Sequence, residues 1–137
     1  MTHIRVEKTS MEPIFQANDR VLAIKPITLK RGDVVFFKHP DTDHLRVKRI
    51  IGLPGEKFEM VNSRVFINDV KLANFISYCN KALDYGPVQI PEDQYFLLGD
   101  HRDISKDSRH FGPISTDEIL YKALAIYRPL AHFKILL

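Results

Sequence analysis

A mainly β fold, coiled and barrel-like and built from antiparallel strands, is what this chain of 137 residues predicts. Three observations predict it. Short runs rich in Val, Ile, Leu and Phe recur along most of the chain, and turn residues separate them at even spacing. No segment longer than a turn or two carries a helical period. The length suits one domain, residues 1–137, with a core that needs neither disulfide nor metal.

The elements follow in order. Arg20 to Lys25 and Asp33 to Lys38 are apolar runs separated by Pro26 and the Arg31-Gly32-Asp33 turn. Leu45 to Ile51 mixes apolar and basic residues and stops at Gly52-Leu53-Pro54-Gly55, which cannot continue a ladder. Lys57 to Val61, Arg64 to Ile67 and Val70 to Leu72 come next, with Asn68-Asp69 as a tight hairpin turn because both residues tolerate positive φ. Residues 73–87 carry no period and contain Gly86-Pro87, so they read as a surface excursion. Val88 to Ile90 and Gln94 to Leu98 are further strands. Ser115-Thr116-Asp117-Glu118 has the capping-box pattern and predicts a short helix near the C-terminus, before a last strand at Leu124 to Tyr127.

Composition narrows the function. A net charge of +3, with bases and acids interspersed and no Lys/Arg-rich run, argues against a nucleic-acid partner and allows a weak attraction to anionic lipid headgroups. The one cysteine, Cys79, has no internal disulfide partner and reads as a buried or half-buried filler. No run approaches the ~20 apolar residues of a membrane span. The apolar stretch from Ile119 to Leu137 is broken by Lys122, Arg128, Pro129 and Lys134. The nine residues ahead of Ser10, with His3, Arg5, Glu7 and Lys8 among them, are expected to be neither signal peptide nor anchor. No clustered His/Cys ligand pattern occurs, so no metal and no organic cofactor is implied.

Three segments carry chemistry. Ser10-Met11-Glu12-Pro13 places a serine on a turn that Pro13 makes rigid, although a lone Ser-x-x-Pro is more often an ordinary turn. A serine hydroxyl needs a base. Six histidines keep a Ser-His-Asp arrangement open by composition, but none stands in a nucleophile-elbow context and Gly-x-Ser-x-Gly is absent. The second segment runs from Val47-Lys48-Arg49 through Ile50-Ile51-Gly52-Leu53-Pro54-Gly55. Lys48 can act as a base only if desolvation or a nearby cation lowers its pKa. Strand alternation puts Arg46 and Lys48 on one face, Val47 and Arg49 on the other. In the third, Gly99-Asp100 ends a strand, and Arg102, Asp103, Ser105, Asp107, Ser108 and Arg109 crowd a loop that carboxylate–guanidinium pairs can stiffen.

In this order the three segments closely resemble the boxes of the bacterial type I signal peptidases, serine/lysine peptidases of the S26 type, over about Val6 to Tyr127. The resemblance implies the same β fold and a serine endopeptidase that removes signal peptides from secreted preproteins. It implies Ser10 as nucleophile, its backbone N–H as an oxyanion-hole donor, Lys48 as general base and Ser105 as the residue orienting Lys48. Asp107 with Arg109 would be the ion pair holding the third box, supported by Asp100 and Arg102. The implied substrate is a preprotein or peptide bound as an added strand, with small side chains just before the cut.

It also implies a membrane-associated protein with its catalytic domain on the periplasmic or extracellular side. Family members usually carry a transmembrane helix just ahead of the serine box; this chain begins where that helix would end. Met11, Ile14, Phe15 and the Phe36-Phe37 pair are candidates for an apolar rim near Ser10 or for core.

Departures qualify the match. His101 and Ile104 stand where the family commonly has Asn, at supporting positions. Lys8 stands where a serine or glycine is frequent, which leaves the second oxyanion donor open. Two other readings remain: a dedicated maturation or conjugation-associated processing peptidase of the same family, and a non-catalytic peptide-binding module.

Overall fold

The computed structural model describes residues 1–6, 11, 12, 14–38, 44–73 and 79–136. Twelve strands and one short α-helix appear among them: β1 Thr2–Arg5, β2 Arg20–Ile24, β3 Val34–Lys38, β4 Leu45–Gly52, β5 Lys57–Val61, β6 Arg64–Ile67, β7 Val70–Lys71, β8 Tyr85–Gln89, β9 Gln94–Leu98, α1 Ser108–Phe111, β10 Ile114–Ser115, β11 Ile119–Arg128 and β12 Lys134–Ile135. Every pairing is antiparallel. One sheet runs β1-β2-β11-β3-β4-β9-β10, with β12 on β11, and a second runs β7-β6-β5-β8. The mainly β expectation holds. Among the described residues the large sheet is an open path from β1 to β10, not a closed barrel.

β3 explains why the large sheet is solid on both sides. Val34 and Phe36 point into a core with Met11, Phe15, Val21, Val47 and Ile126. Val35 and Phe37 point the other way, into Ile50, Leu97, Ile114 and Ile119. A strand covered on both faces reads as a continuous apolar run, as Val34-Val35-Phe36-Phe37 does. Met11, Phe15, Phe36 and Phe37 are therefore core, each at most 2% exposed, and Ile14 packs against them. They form no apolar rim, because core side chains cover β3 on both faces. Each such phenylalanine contributes ~1.5–3 kcal/mol by leaving water.

The second sheet rests on the β4–β9 end of the first. Phe58, Met60, Val65 and Ile67 meet Ile51, Ile90, Phe96 and Leu98. The Phe58 and Phe96 rings stack with centroids 4.1 Å apart. Gly52, at the end of β4, lies under this contact. A Cβ there would stand 2.3 Å from Ile90 Cδ1 and 2.9 Å from Phe96 Cβ. Gly52→Ala is expected to lower stability by about 1–3 kcal/mol, read from the urea midpoint, because a strand and a core side chain must both move.

Asn68-Asp69 forms the anticipated tight turn, with φ of 50° and 69°. Asn62 and Ser63 make a second one between β5 and β6, with φ of 49° and 65°. The short helix at residues 115–118 is a 3-10 turn, Thr116–Glu118, carrying the anticipated capping box. The last long strand is more extended than Leu124 to Tyr127. β11 starts at Ile119 and lies between β3, paired by its first half, and β2, paired by its second, with bulges in both ladders. Part of the excursion at 73–87 falls outside the described residues; its end, from Tyr85, is strand β8.

Candidate active site

Lys48 sits in the middle of β4, paired across the ladder with Val35 of β3. It is 5% exposed, with apolar Val35, Phe37 and Ile50 on the same face. Burial is the largest influence on its amine and lowers the pKa from 10.5 to about 8. The Asp107 and Asp100 carboxylates push back upwards, while Arg46 and Arg109 push down. The result is an amine whose neutral form is accessible near physiological pH.

On the other side of β4, Arg49 pairs with Leu98 of β9, so the chain leaves β9 alongside Lys48. The loop that follows is held from within by buried charge. Asp107, fully buried, accepts from Arg109 Nε on Oδ1 and Arg109 Nη2 on Oδ2, both at 2.9 Å. It also accepts from the Gly99 backbone N–H at 3.0 Å and from Ser105 Oγ at 2.8 Å. Asp107 is at once the N-cap of α1, receiving the Arg109 backbone N–H. Burial alone would raise its pKa, but the Arg109 guanidinium and these hydrogen bonds hold it below the usual carboxylate value. The expected Asp107–Arg109 pair is present.

Asp100 and Arg102 are buried too, each with a partner the sequence does not announce. Asp100 takes a bidentate grip from Arg49, at 2.9 and 2.8 Å, and Arg49 also donates to Gly32 O at 2.8 Å. This reach from β4 to the third loop passes on the face opposite Lys48. Arg102 Nε donates to Gly99 O at 2.8 Å, and burial is the chief cause lowering its pKa. Arg109 Nη2 closes the loop on Arg102 O at 3.0 Å.

Ser105 is 3% exposed and gives its hydroxyl proton to Asp107. Its hydroxyl oxygen keeps acceptor capacity. Ser10 and Lys8 lie outside the described residues. The next residue, Met11, is fully buried, and its sulfur accepts the Asp100 backbone N–H at 3.4 Å. Met11 and the third loop therefore meet at Asp100.

The lysine strand is anchored at its far end as well. Arg31 grips Glu56 with two bonds of 2.7 and 2.8 Å and donates to Ile51 O, fixing the Gly52–Gly55 turn against the Arg31-Gly32-Asp33 turn. His132 Nδ1 lies 2.9 Å from Asp19 Oδ1. Asp19 also accepts the Gln16 N–H, so this pair clasps the C-terminal 3-10 turn, Leu130–His132, to the loop after the serine segment. Cys79 is half-buried, with Sγ 3.3 Å from Asp103 Oδ1. No helix among the described residues is long and apolar enough to cross a membrane.

The chain as a whole is similar to known proteins. The sequence model of the signal peptidase family, peptidase S26, matches residues 1–128. A probable signal peptidase I-2 of Synechocystis sp. is 34% identical over 91% of this chain and 62% of its own length. Signal peptidase I P of Bacillus subtilis subsp. natto is 32% identical over 94% of this chain and 77% of its own. Among solved structures, a signal peptidase I from Enterococcus faecalis superposes with a TM-score of 0.58 and 31% identity, covering 67% of this chain and 93% of that one. This chain thus spans a little under two thirds of the cyanobacterial relative's length. With the family model matching residues 1–128 and relatives 32–34% identical over more than nine tenths of its length, the chain belongs to the signal peptidase family of peptidases, S26.

Proposed function

We propose that this chain is a serine endopeptidase of the signal peptidase I type, working with a Ser10/Lys48 dyad. The observation that carries the reading is the buried Lys48 amine, whose pKa of about 8 makes a neutral base available at physiological pH. Neutral Lys48 takes the Ser10 proton as Oγ attacks the scissile carbonyl. The resulting ammonium returns that proton to the leaving amine, and an acyl-enzyme remains on Ser10. Lys48, neutral again, deprotonates a water that releases the acyl product. Ser105, its proton committed to Asp107, accepts an N–H of Lys48 and fixes the amine's direction. The Ser10 backbone N–H donates to the oxyanion.

The substrate is the extended segment of a secreted preprotein, bound as an added strand, with small side chains before the cut. The relatives' name, signal peptidase I, supports that class. A peripheral membrane contact, on the periplasmic or extracellular side, falls to Leu130, Phe133 and Ile135, which are exposed on the segment clasped by His132 to the serine-side loop.

Incubating the purified chain, in detergent micelles, with a preprotein carrying a small-x-small site tests the substrate class. Mass spectrometry is expected to find one cut directly after the second small residue. A folded chain that leaves such preproteins whole would overturn the substrate assignment.

A further inference from the structure

Arg46 stands two residues before Lys48 on the same face of β4. Their cross-strand partners on β3 are Phe37 and Val35. The Arg46 guanidinium carbon lies over the Phe111 ring, 5.5 Å from its centroid. Phe111 in turn packs on Phe37, with centroids 5.9 Å apart. Phe111 is the last residue of α1, the helical turn that Asp107 caps. One small element thus presents Asp107 and Arg109 to Lys48 at its start and holds Arg46 beside the same strand face at its end.

The charge around Lys48 has a simple arrangement. The groups acting on it are Arg46 from its own strand, Asp107 and Arg109 from the third loop and α1, and Asp100 from the end of β9. Asp107 is bidentate with Arg109, and Asp100 is bidentate with Arg49. Each of those two pairs is neutral overall. Arg46 rests on a ring face, which holds a cation without neutralising it.

We propose that Arg46 is a positioning residue that acts through Lys48, as a cation fixed on the same strand face that favours the neutral amine. This rests on Lys48 being the general base. Removing the cation makes the ammonium less unfavourable, so Lys48 holds its proton to higher pH and the neutral fraction near pH 7 falls. On the alkaline plateau Lys48 is neutral with or without the cation, so the rate there does not fall.

The test is kcat/KM against pH, from 6 to 10, on a small-x-small peptide. The proteins are the wild type, Arg46→Met, Arg46→Gln and Arg46→Lys, each checked for a native thermal transition. Met keeps an unbranched stem over Phe111 and removes the charge; Gln does so with a polar end should Met disturb the fold. Both are expected to move the acidic limb up by about one pH unit, a loss of about tenfold at pH 7 that vanishes on the plateau. Arg46→Lys restores the wild-type limb. An unmoved limb, or an equal loss at every pH, overturns the proposal, the second by assigning Arg46 to substrate binding or structure. Lys48→Ala, run beside them, separates the two levels. If it retains turnover, the base assignment has failed; if it is inactive while the Arg46→Met limb does not move, only the role of Arg46 has failed.

Discussion

Lys48→Met is expected to lower kcat/KM by at least about 10³-fold and, at pH 7, to make the fold more stable than the wild type. The two effects have one cause. A buried ammonium is costly, and the fold lowers the pKa of Lys48 from 10.5 to about 8 to avoid it. Below pH 8 both the folded and unfolded chains carry the proton, and the full penalty is present. Between about 8 and 10.5 the unfolded chain binds more protons, so wild-type stability rises with pH across that window. Methionine fills the same space and has no charge to bury. The urea midpoint of Lys48→Met is therefore expected to exceed the wild type's at pH 7, by about 1–3 kcal/mol, and the gap to close towards pH 10.5. A variant destabilised at pH 7 would show that the amine is well accommodated as a cation and is not a poised base.

Asp107→Asn is expected to cost about 3–5 kcal/mol of stability, which lowers Tm by on the order of 10 °C in a domain of this size. The side chain gathers Arg109, Ser105 and the Gly99 N–H around one buried carboxylate, and an amide leaves the Arg109 cation unpaired in the interior. Turnover falls with it, since Ser105 loses the acceptor that fixes its hydroxyl. The folded-state pKa of Asp107 is depressed, so its contribution is complete above the ordinary carboxylate range and is lost as pH falls through the depressed value. Thermal melts of the variant and wild type should converge in acid. The double variant Asp107→Asn/Arg109→Met is expected to lose less than the two single losses together, because it leaves no orphaned charge.

The legibility of the chain in its sequence followed local chemistry. β5, β6 and β9 fall on the residues their apolar runs and flanking turns predict, because each is bounded by its own turn signal. β1 and β12 were not legible. Thr2–Arg5 alternates but is short and basic, and it is a strand because β2 offers it an edge. Lys134–Ile135 depends in the same way on β11. α1 has four residues and no period; the Asp107 cap makes it, and that cap reads in sequence only as another loop acid.

For the phenylalanines, alternation predicts that one of Phe36 and Phe37 faces inward, but both do, because the sheet is covered on each side. In the site, complementary charges crowding the third loop were legible from the residues, and the Asp107–Arg109 pairing came from the family resemblance. Arg49 with Asp100 was not legible, since 51 residues separate them and only the β4–β9 register brings them together. The cue available was the alternation that turns Arg49 away from Lys48, towards the face where an acid at the end of β9 could meet it.

The most direct measurement of the Ser10/Lys48 dyad is active-site acylation. A small acyl ester is mixed at pH 9 with the wild type, Ser10→Ala, Lys48→Ala and His132→Ala, and the acylated residue is found by peptide mass spectrometry. The dyad predicts one acyl group on Ser10 in the wild type and in His132→Ala, and none in the other two. Acylation of Ser10 at the wild-type rate in Lys48→Ala, with loss in His132→Ala, would contradict it and move the base to the Asp19–His132 pair.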